Sequence, residues 1–219
     1  MDEPEEIVEG SIEKHRDLLS GFGGNDSVSG EMLEEAMNPN QVAISLTGEP
    51  MMYPKISGLV KEFDSRDFST FLVTNGTFPS RIENLEVEPT NLYISLESTS
   101  KEKYHEFNKP VQENLWEKLM RSLDKINSLG SNTVCRITAI NGHNMDDPEG
   151  FVDLLDRGGF DFVEVKGYMH VGDSMERLDR NCMPGHGKVE SFAEEIAEIS
   201  GYERKDDNEP SRVVLLEKD

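Results

Sequence analysis

The chain holds two cysteines, one tryptophan and half as many basic as acidic residues, 22 Lys and Arg against 44 Asp and Glu in 219 positions. Each shortage excludes something. Cys135 and Cys182 stand 47 positions apart, outside any CxxC or CxxxCxxC spacing, so no metal site is legible from them. Two such thiols read as buried or partly buried cysteines in a reducing compartment. No apolar run approaches the roughly 18 residues of a membrane span. The opening Met1-Asp2-Glu3-Pro4-Glu5-Glu6 is acidic, the reverse of a signal peptide's basic start. No repeat, low-complexity tract or interdomain linker breaks the chain. These absences predict a cytoplasmic protein with no membrane partner, built as one domain over residues 1–219 with a substantial core.

The deficit of basic residues leaves a formal net charge of −22. Such a field repels nucleic acid at ordinary salt. The acids are interleaved with apolar periodicity rather than gathered in a tail. That pattern predicts a folded, halophile-like protein of a high-salt cytoplasm, where screening shortens the reach of carboxylate repulsion. The charge is uneven: residues 1–102 carry 7 basic and 20 acidic groups, residues 103–188 carry 11 and 14, and residues 189–219 carry 4 and 10. The near-neutral middle is where an anionic ligand is expected.

What the chain does have is alternation. A helix is predicted over residues 3–19 from Ile7, Val8, Ile12, Leu18 and Leu19, ended by Gly21-Phe22-Gly23-Gly24-Asn25. A short helix follows over residues 30–37 and stops before Pro39. Apolar runs of strand length occupy residues 41–46, 69–73, 91–96, 133–140 and 161–166, with a closing strand over 211–217. Helical stripes lie between them, clearest over 114–129 and 186–200. Strands separated by helices imply βα units on a parallel sheet, either a partial barrel or a doubly wound open sheet. In both, ligands bind at the C-terminal ends of the strands.

The loops at those ends carry polar groups. Thr47-Gly48-Glu49-Pro50 pairs a backbone of close approach with a carboxylate that accepts hydrogen bonds from an amine. Asn75-Gly76 follows the next strand, and Ser95-Leu96-Glu97 places a hydroxyl and a carboxylate at the third rim. Arg136 lies within an apolar strand, where its charge must face outward or be paired; its fork suits a carboxylate. Glu164 and Lys166 alternate onto one side of their strand, positioned to pair. Taken singly, each is equally a tight turn, a solvated side chain or a structural ion pair.

Their order is more specific. Val42-Ala43-Ile44-Ser45-Leu46-Thr47-Gly48-Glu49-Pro50 with Tyr53-Pro54, then Thr70–Thr77, then Glu164-Val165-Lys166-Gly167-Tyr168-Met169-His170-Val171-Gly172, Asn181-Cys182-Met183-Pro184-Gly185-His186 and Pro210–Leu216 resemble the motifs of the tRNA 4-demethylwyosine synthase family. That family belongs to the radical S-adenosylmethionine (SAM) enzymes. The likeness runs in one register from about Asp2 to the C-terminus. It implies a partial (β/α) radical SAM barrel, TIM-like, with outer helices around a parallel sheet.

The resemblance also implies chemistry. Members cleave SAM reductively at a [4Fe–4S] cluster, and the resulting radical takes hydrogen from the N-methyl group of 1-methylguanosine at position 37 of tRNA(Phe). Carbons from pyruvate then close the third ring of 4-demethylwyosine. The implied partners are the tRNA anticodon loop, pyruvate and an electron donor. Carried onto this chain, Thr47, Gly48 and Glu49 hold the SAM amino group, while Asn75, Ser95, Glu97 and Arg136 line the rest of SAM. Lys109, Lys166, Tyr168, His170, Arg177 and His186 face pyruvate or tRNA, with Lys166 the catalytic candidate and Tyr168 suited to stacking on a base.

A cluster needs three cysteine thiolates with SAM on the fourth iron. The family places them upstream of the helix that opens this chain, so the expectation is an N-terminally truncated barrel lacking its first strand, cluster loop and cluster ligands. Two other functions remain open on the residues alone: a fragment that binds SAM or tRNA without turnover, and an aldolase-like barrel using Lys166 as a Schiff-base amine.

Overall fold

The computed structural model describes residues 1–45 and 48–218. The chain opens with helix α1 (Pro4–Leu19), with Pro4 at its first turn and Glu6 accepting a hydrogen bond from the Glu3 N–H at 2.9 Å. Proline suits this position because its missing N–H would have no helical partner there. A 3₁₀ turn over Ser20–Gly24 leads to α2 (Gly30–Met37), capped by the Ser29 hydroxyl. His15 and Arg16 of α1 contact the carbonyls of Ala36 and Met37 at 2.7 and 3.1 Å, closing the end of α2.

Five parallel strands follow: β1 (Gln41–Ile44), β2 (Ser69–Thr74), β3 (Asn91–Leu96), β4 (Asn132–Ala139) and β5 (Phe162–Gly167). They pair in chain order. The helices between them are α3 (Ile56–Asp64), α4 (Pro79–Glu83), α5 (Lys101–Asn108), α6 (Leu115–Ile126) and α7 (Pro148–Gly158), with α8 (His186–Ile199) after β5. Neighbouring helices pack side by side, α1 on α3, α4 on α6, α6 on α7 and α7 on α8. Consecutive helices stacked side by side with strands in chain order describe a barrel wall; a doubly wound sheet would reverse its strand order.

Period-two alternation divides the sheet into two faces. Leu72, Leu92, Ile94, Leu96, Cys135, Ile137, Val163 and Val165 are buried against the helices. Phe71, Tyr93, Arg136 and Glu164 lie on the opposite, inner face and are only half-buried. Arg136 there stacks over the Tyr93 ring, 4.6 Å from its centroid, and donates from Nε to Glu164 Oε1 at 2.7 Å. The cation facing Glu164 is thus Arg136 rather than Lys166, because neighbouring strands bring positions 136 and 164 into register.

Beyond β5 the sheet changes character. β7 (Val213–Lys218) pairs antiparallel with β5, and β6 (Tyr202–Asn208) pairs antiparallel with β7 at the edge. Sequence patterning finds β7 but not β6. In Tyr202-Glu203-Arg204-Lys205-Asp206-Asp207-Asn208 only Tyr202 is buried, so no apolar alternation marks the strand. Charged edge strands of this kind resist pairing with other chains.

Candidate active site

The C-terminal ends of the parallel strands surround a cavity of about 770 Å³. A smaller one of about 230 Å³ adjoins it, sharing Asn75, Ser95, Glu97 and Ser98. Glycine geometry shapes the rim at two points. Gly48 has φ +75° and Gly76 φ +71°, left-handed values that an L side chain rarely adopts. A Cβ on Gly76 would also stand 2.6 Å from Leu119 Cδ1, so α6 packs directly on this turn.

Glu49 joins the first two strand ends. Its Oε1 accepts from Thr74 Oγ1 at 2.5 Å and from Met51 N at 3.0 Å, and its Oε2 accepts from Asn75 N at 2.8 Å. The carboxylate thus binds the β1 loop to the tip of β2 while still lining the cavity. With two lone pairs per oxygen, Oε2 keeps capacity for a ligand ammonium. Asn75 folds back through Oδ1, which accepts from Thr77 N and Oγ1 at 3.0 and 2.6 Å. Thr47, expected at the same rim, lies outside the described residues.

At the third strand end, Ser95 and Glu97 both face the cavity. Burial pushes the Glu97 carboxyl above the usual carboxylate range, opposed by hydrogen bonding from Asn108 and from its own backbone. The Asn108 bond, Nδ2 to Oε2, is long at 3.4 Å, beyond the ordinary N–H···O range. A desolvated carboxyl with spare acceptor capacity at a cavity wall suits the hydroxyls of a ribose. Val73, Phe107, Ile140 and Leu178 supply apolar wall, and Lys103, Lys109 and Arg177 supply cations. The donor set therefore fits a nucleoside-bearing amino acid such as SAM. Cys135 is buried on the helix-facing side of β4, where burial drives its thiol pKa well up, and Cys182 sits 3.6 Å from His143 Nε2. Neither cysteine is among the residues that line the cavity.

The other expected residues divide. Lys109, Tyr168 and Arg177 line the larger cavity. Lys109 caps α5 in a left-handed conformation, φ +46°, which places it on the wall between the two cavities. Tyr168 is buried, with its hydroxyl 3.3 Å from His170 Nδ1 and 3.1 Å from Ser174 Oγ; His170 itself is not among the cavity-lining residues. Arg136 lies one pleat below Thr138, away from the cavity lining and engaged with Glu164. Lys166 shares the inner face of β5 but is not among the cavity-lining residues. His186 is also apart from the cavity. It begins α8 and meets Asp207 Oδ2 at 3.1 Å, while Arg204 bonds both Glu190 and Asp207 at 2.8 Å. This network fastens β6 to α8, and Arg204 is the cation already held between its carboxylates.

Polar cavity residues that sequence reasoning does not single out include Lys103, Glu106, Asn108, His143, Asn144 and Ser174. Lys103 donates to Asp147 at 2.9 Å. His143 stacks near Phe107, centroids 5.9 Å apart. Only the alignment of the β3 and β4 loops brings these positions together.

Comparisons with known proteins agree with this geometry. Residues 28–155 match the radical SAM superfamily, and residues 157–218 match the family described as wyosine base formation. The two matches meet at α7, yet one continuous sheet runs through both. The chain is 45% identical over 222 residues to an S-adenosyl-L-methionine-dependent tRNA 4-demethylwyosine synthase of Pyrococcus abyssi, covering all of this chain and 65% of that protein. It is 39% identical to the Methanocaldococcus jannaschii protein of the same name, covering 99% and 68%. A solved structure of TYW1 with a lysine–pyruvate adduct bound superposes with a TM-score of 0.90 at 38% identity, covering 99% of this chain and 70% of that one. The chain thus spans about two thirds of the length of these two archaeal relatives. Motif order, barrel topology and these likenesses together establish that the chain belongs to the radical SAM tRNA 4-demethylwyosine synthase family.

Proposed function

We propose that this chain is the SAM- and substrate-binding part of an enzyme that converts 1-methylguanosine-37 of tRNA(Phe) to 4-demethylwyosine, a reaction of the cytoplasm. The observation that carries the reading is the cavity ringed by Glu49, Asn75, Ser95 and Glu97 at the strand ends, on a chain of this family. SAM supplies the source of a radical able to take hydrogen from an unactivated methyl group. The chain's own residues bind and orient it: Gly48 and Glu49 receive the amino group, with Thr47 assigned there by motif alone. Asn75 and Ser95 line the nucleoside, and Glu97 accepts from the ribose hydroxyls. Lys109 and Arg177 meet an acidic group, a carboxylate or an RNA phosphate, and Tyr168 offers a face for a base.

The test is calorimetric titration of this chain with SAM. We expect binding, weakened tenfold or more by Glu49→Ala, which removes both the ammonium acceptor and the tie to β2. Absence of binding, or unchanged affinity in that variant, overturns the reading. Arg136 contributes from below the cavity by holding Glu164 through Nε, which leaves its terminal N–H groups as the donors for the SAM carboxylate. His170 stands beside the lining residue Tyr168 and is assigned to substrate only through it, whereas His186, held by Asp207 away from the cavity, is assigned there by motif alone.

Pyruvate is the proposed second substrate, and an external electron donor is required for reductive cleavage. The related structure bears a lysine–pyruvate adduct. Within this chain, Lys166 on the inner face is the candidate for an amine of that kind. Borohydride reduction in the presence of pyruvate, followed by peptide mapping, is expected to mark Lys166. A mark on another lysine, or none, removes it from the mechanism.

A further inference from the structure

Asn144 is one of the few buried polar residues, 4% exposed, and it lines the cavity without offering its carboxamide to it. Oδ1 accepts from Ile140 N at 2.8 Å, and Nδ2 donates to Glu97 O at 3.0 Å and Thr138 O at 2.9 Å. Two carbonyls on one side and an N–H on the other admit a single orientation of the amide. The position explains the need. The β3–β4 ladder ends at Leu96↔Ile137, and the carbonyls of Glu97 and Thr138 are the next ones past it. Buried carbonyls without partners are costly. Asn144 satisfies both, so its side chain acts as one further rung that extends the ladder to the rim. Gly142, at φ +76°, turns the loop back so that residue 144 can reach the strand ends.

We propose that Asn144 is a positioning residue for Glu97, fixing the backbone from which the ribose-facing carboxyl projects and thereby setting selectivity for a ribonucleoside ligand. This inference rests on the reading of the cavity as a SAM site. Its side-chain bond from Asn108 is long at 3.4 Å, and the other contact on the carboxyl comes from its own backbone. Orientation at the rim must therefore come from the backbone, and the backbone is held by Asn144. Asn144→Asp is nearly isosteric but sets an acceptor oxygen against two carbonyl oxygens, removing both donations.

The experiment compares S-adenosylhomocysteine with its 2′-deoxy analogue, titrated into this chain by calorimetry. Wild type is expected to prefer the ribose ligand by about tenfold, a factor equivalent to about 1.4 kcal/mol. Glu97→Gln should reduce that preference several-fold, and Asn144→Asp should reduce it equally. The double variant should show no further loss, since residues acting as one unit are non-additive. A merely structural role would lower the unfolding midpoint, leave the preference intact and add to Glu97→Gln; that result overturns the proposal. If Asn144→Asp does not fold, Asn144→Gln, which keeps the amide but displaces it by one methylene, carries the same test. Failure of wild type to bind either ligand removes the SAM reading and this inference with it, whereas a lost preference in Glu97→Gln but not in the residue-144 variants removes the inference alone.

Discussion

At the scale of single residues, Glu97 is a carboxyl held where its charge is costly. Burial raises its pKa, so the folded state binds its proton more tightly than the unfolded chain does. Stability therefore falls as pH rises from the ordinary carboxylate value through the raised one. Glu97→Gln should raise the thermal midpoint at neutral pH, and the gain should vanish in acid where both forms are uncharged. A midpoint unchanged or lowered at neutral pH would show that the carboxylate is well accommodated without ligand. Arg136 is the converse case. Its side chain and that of Glu164 are 27% and 15% exposed, so deleting the cation leaves a largely buried carboxylate unpaired. Arg136→Ala should cost about 2–4 kcal/mol in urea denaturation. Arg136→Lys should cost less, keeping the charge but losing the planar stacking over Tyr93.

At the scale of elements, the strand ends are tied together by side chains that cross between loops. Asp147 shows this most fully. Its carboxylate caps α7 through Gly150 N at 3.1 Å, accepts from Thr99 after β3 and pairs with Lys103 of α5. These partners, the Thr99 hydrogen bond foremost, hold its carboxyl below the ordinary value. The stabilisation is complete above that ordinary value and is lost as pH falls through the depressed one. Asp147→Ala should cost about 1–2 kcal/mol at neutral pH, shrinking in strong acid. A loss independent of pH would assign the effect to packing alone. The same crossing pattern explains which parts of the site were visible in advance. Glu49, Ser95 and Glu97 stand at strand ends that the apolar runs mark, so their rim position follows from pattern and the rule that ligands bind at C-terminal strand ends. Lys103, Asn108 and Asn144 lie within helices or loops, and nothing local distinguishes them from solvated polar residues. β6 was invisible for a related reason: an edge strand need not bury alternate residues.

At the scale of the molecule, the dominant fact is a net charge of −22. Many of its ion pairs are exposed, Lys14–Asp17, Lys101–Glu117, Lys125–Glu83 and Lys205–Glu217 among them, and exposed pairs contribute little. Net repulsion therefore outweighs them. Raising ionic strength from about 0.1 to 1 M shortens the screening length from about 10 to 3 Å, so potassium chloride should raise the thermal midpoint by several degrees. A midpoint that falls or stays level with salt would contradict a high-salt adaptation. For the proposed tRNA substrate, screening should likewise reduce repulsion between so acidic a protein and RNA phosphates. Among the described residues no helix is long and apolar enough to cross a membrane.

Sequence by itself determined the βα order, the barrel class and the family, because apolar periodicity and long ordered motifs are properties of neighbouring residues along the chain. It also determined which strand ends carry Gly48, Glu49, Asn75, Ser95 and Glu97. Only the tertiary structure decided pairing. It gave Arg136 to Glu164 and Tyr93, set His186 against Asp207 on an edge strand that no pattern announces, and bridged two strand ends with Asn144. Those choices depend on register between segments up to tens of residues apart, and register is fixed by the packing of a whole sheet against its helices.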